Sequence, residues 1–425
     1  MSKLALLGGK PVIGKRLPAY PSMGKAEEDA VREVVRSGVL SGFYGSPGPE
    51  FMGGPKVKAL EAAWAKRYGV RHAVTVNSAT SGLVAAMGAI GLGPGDEVIL
   101  PPWTMSATAM APLAYGGIPV FADVEGQTFC IDPESVIANI TPKTRAILAV
   151  NLFGHPAALK RLRTLADDRG LYLIEDSAQA PFASEDGRRA GTVGHIGVYS
   201  LNFHKHIHSG EGGVCVTDDA RLADRLRMIR NHGENSAAEM AKGDLTNLVG
   251  FNLRMTELSA AVALVQLANI DAHVARREKL AKALSDGTRD LAGWTVPAER
   301  HGSRHNYYAW LVRFDADVVG VSRELFSKAL IAEGFLHFIG YVAPLYRLPV
   351  FRQRRAIGRD GFPFTLSDRT YEDGLCPVSE RLHEREAVLF EPCAFDVDDA
   401  LADKLVAAIR KVHDNRKQLN AAGKA

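Results

Sequence analysis

Between residues 72 and 217 the chain alternates short, β-branched apolar runs with helical segments, and this alternation restricts the fold more than any other feature. His72-Ala-Val-Thr-Val, Glu97-Val-Ile-Leu, Ile118-Pro-Val-Phe-Ala, Ala146-Ile-Leu-Ala-Val, Tyr172-Leu-Ile, Ile196-Gly-Val-Tyr-Ser and Gly213-Val-Cys-Val read as buried strands. Strands separated by helical crossovers imply an α/β fold, with a mainly parallel seven-stranded sheet flanked by helices. In such sheets ligands sit at the carboxyl ends of the strands, so chemistry is expected there.

A chain of 425 residues exceeds one ordinary core, and two domains are expected. A large domain over 1–275, with an N-terminal arm, precedes a smaller α+β domain over 276–425. Residues 22–38 and 57–68 have helical spacing. Between them lies SGVLSGFYGSPGPEFMGGP, whose Gly, Pro and Ser density makes it a loop. A long amphipathic segment, 257–286, links the domains. The small domain should hold a strand at 308–314 and helices at 323–333 and 398–415, and the tail NRKQLNAAGKA should fray.

Composition excludes several classes. Hydrophobic residues are 46% and charged residues 23%, with a net charge of +3, which is too balanced for a nucleic-acid or anionic-membrane binder. No run approaches the roughly 18 apolar residues of a membrane span. The apolar stretch before Gly8-Gly9 is too short for a secretory signal. Four cysteines lie far apart without a CxxC pair, as expected of reduced thiols in a cytoplasmic protein.

Three segments carry candidate chemistry. An apolar strand ends in Glu175-Asp176, and because strand residues alternate faces, one carboxylate at most faces a pocket. Asp176 is equally suited to cap a following helix. Lys205 stands between a strand ending at Ser200 and the turn Gly210-Glu-Gly-Gly213, whose glycines permit close backbone approach to a ligand. A desolvated lysine there has a lowered pKa and can form a Schiff base. His204, His206 and His208 alternate beside it, but no other ligand pattern supports a metal, and they are expected to line or shield the pocket. In Val74-Thr-Val-Asn-Ser-Ala-Thr-Ser, Ser78, Ala79 and Thr80 gather hydroxyls and N–H groups at a helix start, which suits a phosphate or a simple cap. A phosphate cradle, a carboxylate and an amine at strand ends are what pyridoxal 5′-phosphate (PLP) requires. No suitably placed GxGxxG or Walker motif competes.

The chain resembles the DegT/StrS-type sugar aminotransferases, PLP enzymes of the aspartate-aminotransferase fold, from about residue 12 to the C-terminus. The likeness is carried by EDSAQA (175–180), YSLNFHKHIHSGEGG (199–213), RNHGE (230–234) and GFNLRMTELSAAVALVQL (250–267). It implies Lys205 as the cofactor-bearing lysine and Asp176 as the partner of the pyridine nitrogen. It also implies Gln179 near the phenolic oxygen, and Ala79, Thr80 and Ser200 at the phosphate. Asn252 matches an asparagine lent across a homodimer interface to the neighbour's phosphate. The implied reaction moves an amino group from glutamate or glutamine to a ketone of a sugar or cyclitol. Rivals are a sugar dehydratase of the same fold, in which histidine replaces the lysine, and an inactive regulatory homologue.

Two departures stand out. In PPWTMSAT, Met105 holds the place where the family often has an aromatic residue stacked on the cofactor, with Trp103 two residues earlier; either could pack on the ring. The long segment ENSAAEMAKGDLTNLV (234–249) could reshape the substrate mouth. Arg304, His305, Tyr307, Tyr308, His337, Tyr341 and Tyr346 are candidate acceptor contacts or ordinary packing.

Overall fold

A computed structural model describes residues 2–46, 48–234 and 244–423. Its central sheet has seven strands: β1 (His72–Val76), β2 (Glu97–Leu100), β3 (Ile118–Phe121), β4 (Thr144–Val150), β5 (Tyr172–Asp176), β6 (Ile196–Ser200) and β7 (Gly213–Thr217). Their spatial order is β1-β7-β6-β5-β4-β2-β3. Only β7 runs against the rest, pairing antiparallel with β1 and β6.

These strands are apolar throughout because both faces are covered. Val74, Val198 and Cys215 join one buried cluster, whereas Ala73, Tyr199, Val214 and Val216 join another on the opposite face. The second cluster is completed by Val57, Leu60 and Trp64 of the helix Pro55–Tyr68 and by Ala260, Ala263 and Leu267 of the helix Glu257–Ala268.

A second sheet, antiparallel throughout, contains β8 (Trp294–Thr295), β9 (Trp310–Phe314), β10 (Phe338–Ile339) and β11 (Ala387–Phe390) in the order β8-β9-β11-β10. It packs with the helices Arg323–Ala332 and Asp399–Asp414 around a separate apolar cluster. Chain order does not divide the two cores at residue 275. Leu4, Ile13 and Leu17 belong to the small-domain cluster, and the buried Glu333 carboxylate accepts from the N–H groups of Ala5 (2.8 Å) and Val12 (3.0 Å). Tyr346, Phe351, Phe364, Tyr371 and Leu382, conversely, pack into the large core.

The linking segment is two helices rather than one, Glu257–Ala268 and Ile270–Asp286, bent by 58° at Asn269. The tail does not fray as expected: Arg416–Gly423 is helical, because Leu419 is fully buried in the small-domain core. Among the described residues, no single helix is long and apolar enough to cross a membrane.

Candidate active site

The carboxyl ends of β1, β4, β5 and β6 bring the site together. Strand alternation separates the two adjacent carboxylates of β5. Glu175 turns to one face and accepts hydrogen bonds from the N–H groups of Gly191 (2.5 Å), Val193 (2.8 Å) and Gly194 (2.6 Å), and from Asn151 Nδ2 (3.1 Å). It is a buried anchor for a returning loop. Asp176, on the other face, accepts from Thr108 Oγ1 (3.0 Å) and the Ala178 N–H (3.1 Å), so it caps a turn and still faces the lysine. Burial raises its carboxyl above the ordinary value, while these hydrogen bonds and the Lys205 charge pull it back.

Lys205 is 8% exposed and has no hydrogen bond or ion pair among the described residues. Its Nζ lies 4.6 Å from the ring centroid of Tyr308, two residues before β9. Burial lowers the amine to about 8, and Asp176, Cys393 and Glu391 oppose that shift. Such an amine has a far larger neutral fraction near neutral pH than an ordinary lysine, which a nucleophile and base requires.

The helix Ala79–Ala89 begins at the end of β1, and Ser78 is its cap: Oγ accepts from the Ser81 N–H at 3.0 Å. The N–H groups of Ala79 and Thr80 have no partner among the described residues and point out of a helix start, an arrangement that favours an anion. Gly213 packs against this start from β7. A Cβ there would lie 2.7 Å from the Ala79 nitrogen and from the Ser78 carbonyl carbon. Gly213→Ala is therefore expected to displace the cradle and cost about 1–3 kcal/mol. Denaturant unfolding measures the loss. Ser200, 9% exposed, ends β6 and its Oγ accepts from the Asn202 N–H.

Gln179 is spanned between two partners. Oε1 accepts from the Phe153 N–H at 2.7 Å, and Nε2 donates to Tyr341 Oη at 3.2 Å. Trp103 has no exposed surface; its ring meets Phe129, Phe153 and Tyr341 edge-on, and Nε1 donates to the Gly340 carbonyl at 3.3 Å. Of the pair, Met105 is the open one, at 52% exposure. Asn252 is exposed and bridges to Asn231.

The three histidines diverge. His206 is buried with Nε2 on the Asn306 carbonyl (2.9 Å), His208 meets Ser22 Oγ (2.7 Å), and His204 is exposed. No group of metal-ligating side chains forms among the described residues. Most of the proposed acceptor aromatics serve packing instead. His337 bonds Ser327 inside the small domain, Tyr307 stacks on His305, and Tyr346 lies in the large core; Arg304 pairs with Glu278. Tyr308 and Tyr341 do reach the site. Thr108, Glu391 and Cys393 were not singled out, and no local pattern marks them. Of 234–249, residues 235–243 lie outside the described residues; Asn247 and Val249 dock on the Gly91 carbonyl and the Tyr115 hydroxyl.

The model of the DegT/DnrJ/EryC1/StrS aminotransferase family matches residues 21–406. The chain belongs to this family. Among its aminotransferase relatives is the L-glutamine:2-deoxy-scyllo-inosose aminotransferase of Streptomyces kanamyceticus, 34% identical over 99% of both chains. The spore coat polysaccharide biosynthesis protein SpsC of Bacillus subtilis is 33% identical over 82% of this chain and 88% of its own. The crystal structure of DesI with its TDP-sugar product superposes with a TM-score of 0.81, at 30% identity over 99% of each chain. The large sheet and the smaller α+β unit are thus those of an aminotransferase.

Proposed function

We propose that the chain is a PLP-dependent enzyme that transfers the amino group of L-glutamine to the ketone of a cyclitol or sugar. The observation that carries this is the buried, unpartnered Lys205 amine, electrostatically coupled to Asp176 and covered by Tyr308. The cyclitol preference follows the relatives at 33–34% identity over nearly the whole chain, which are named for L-glutamine and inososes.

The residues present fit PLP: free N–H groups of Ala79 and Thr80 with Ser200 for the phosphate, Asp176 for the ring nitrogen, and Lys205 for the aldehyde. Bound there, the cofactor supplies an electron sink for the carbon attached to the migrating nitrogen. Asp176 would hold a proton on the ring nitrogen by charge. Lys205 would remove the α-proton of the donor in one half-reaction and deliver a proton to the former carbonyl carbon of the acceptor in the other. Tyr308 covers the amine, and Tyr341 is held on Gln179. The dehydratase alternative needs a histidine at the position of Lys205, whereas the neighbouring His206 faces away, held on Asn306.

The neighbour's Asn252 completing each phosphate site in a homodimer belongs to the same reading. Met105, Phe203 and Phe251, exposed at 52%, 68% and 38%, lie on segments bordering the site and would be covered by a second copy. Four unpaired cysteines favour action in the cytoplasm.

The experiment is direct. Purified protein loaded with PLP should show a visible absorbance band that L-glutamine bleaches and 2-deoxy-scyllo-inosose restores, with the amine product identified by mass spectrometry. A protein that takes up no PLP, or is inert to glutamine and glutamate, sinks the assignment.

A further inference from the structure

A carboxylate that neither the sequence motifs nor the cofactor requires stands at the domain boundary. Phe390, the last residue of β11, pairs with Trp310, the first of β9. The strands are antiparallel, so Glu391 and Tyr308 emerge at the same edge of the small sheet. That edge is fastened to the large domain by the Ala309 N–H, which donates to the Phe153 carbonyl at 3.1 Å. Its residues therefore face the large-domain strand ends.

Glu391 is half-buried, yet its carboxylate has no hydrogen bond or ion pair among the described residues. Its oxygens still reach solvent, so water serves them and the hydroxyls of a ligand can take its place. The guanidinium beside Cys393 is engaged elsewhere: Arg277 donates from Nε to Cys393 Sγ (3.1 Å) and from Nη1 to the His273 carbonyl (2.6 Å). The titratable groups that feel the Glu391 charge are Lys205, Tyr308, Tyr341 and Cys393. Lys205 and Tyr308, each more than nine-tenths buried, also lack hydrogen-bond partners among the described residues. Amine, phenol and carboxylate thus converge on one space between the two domains.

We infer that Glu391 is a specificity-determining residue whose carboxylate accepts hydrogen bonds from ring hydroxyls of the acceptor. This deepens the aminotransferase reading above and rests on it. A carboxylate at this place rewards an uncharged, polyhydroxylated ketone, whose donors it satisfies. It repels acidic acceptors, which would put a second negative charge in the same cleft. Discrimination built on hydrogen bonds to a buried polar group is steep, because the wrong ligand leaves that group unpaired.

The test separates the two half-reactions of the PLP-loaded enzyme by rapid-mixing absorbance. Glu391→Ala is expected to raise the concentration of 2-deoxy-scyllo-inosose needed for half-maximal rate by about 10- to 100-fold. The donor half-reaction with L-glutamine should fall at least about tenfold less than that. Glu391→Gln, which keeps shape and one acceptor oxygen, should give a smaller loss and guards against misfolding. Equal losses in both half-reactions, or a shifted pH profile for glutamine with unchanged ketone affinity, would make Glu391 a tuner of Lys205 and overturn the proposal. A wild-type enzyme that glutamine fails to bleach would instead overturn the reading on which it rests.

Discussion

Lys205→Ala is expected to lower turnover by at least about 10²–10⁴-fold, the range contributed by a positioned proton-transfer group, while leaving the fold intact. The side chain makes no hydrogen bond or ion pair among the described residues, so its removal breaks no network. Losing the visible band should accompany losing activity, and circular dichroism should be unchanged. The same amine sets a pH limb. Burial depresses it from 10.5 to about 8, so it is charged and unreactive below that pH and neutral above it. The rate at which the cofactor-free protein takes up PLP, followed by absorbance, should therefore rise as pH increases through about 8. A flat profile from pH 6 to 9 would contradict a depressed lysine nucleophile.

Glu175→Ala is expected to have the largest effect on stability, about 3–5 kcal/mol, measured by denaturant unfolding. The carboxylate is fully buried and serves four donors; the N–H groups of Gly191, Val193 and Gly194 would be orphaned together, while Asn151 keeps Ser177. Its neighbour should behave in the opposite way. Asp176→Asn keeps an oxygen for the Ala178 N–H and places an amide that can donate to the Thr108 hydroxyl, so it should fold, but it removes the charge that faces Lys205. Two adjacent acids thus divide into one that holds the fold and one that serves chemistry. Comparable stability losses for both would refute that division.

The strands of the large sheet were legible because each is a short apolar run bounded by breakers, and burial on both faces leaves no competing period. Lys205 and Asp176 were legible through the motifs around them. Which of Glu175 and Asp176 faces the pocket was not, because alternation fixes only that they differ. The answer comes from the loop at 191–194, which returns its N–H groups to one face. Trp103 against Met105 was undecidable for a similar reason: the aromatic cage that takes Trp103 is built by Phe129, Phe153 and Tyr341, far apart in the chain. Thr108 meets Asp176, and Tyr308 and Glu391 approach the lysine, only through tertiary folding, and a side chain in such a place carries no periodic signal. The N-terminal arm was misjudged likewise, since its anchor, Glu333, lies 328 residues from Ala5.

That arm has a mechanical consequence. The polypeptide crosses between the two bodies near residue 20 and again along the helix Ile270–Asp286, and the stretch containing Tyr346 to Leu382 lies back on the larger one. A single swivel would have to tear several of these straps at once. Admission and retention of reactants consequently fall to small rearrangements at the rim, around Met105 and Phe203, rather than to a clam-like swing of one half against the other.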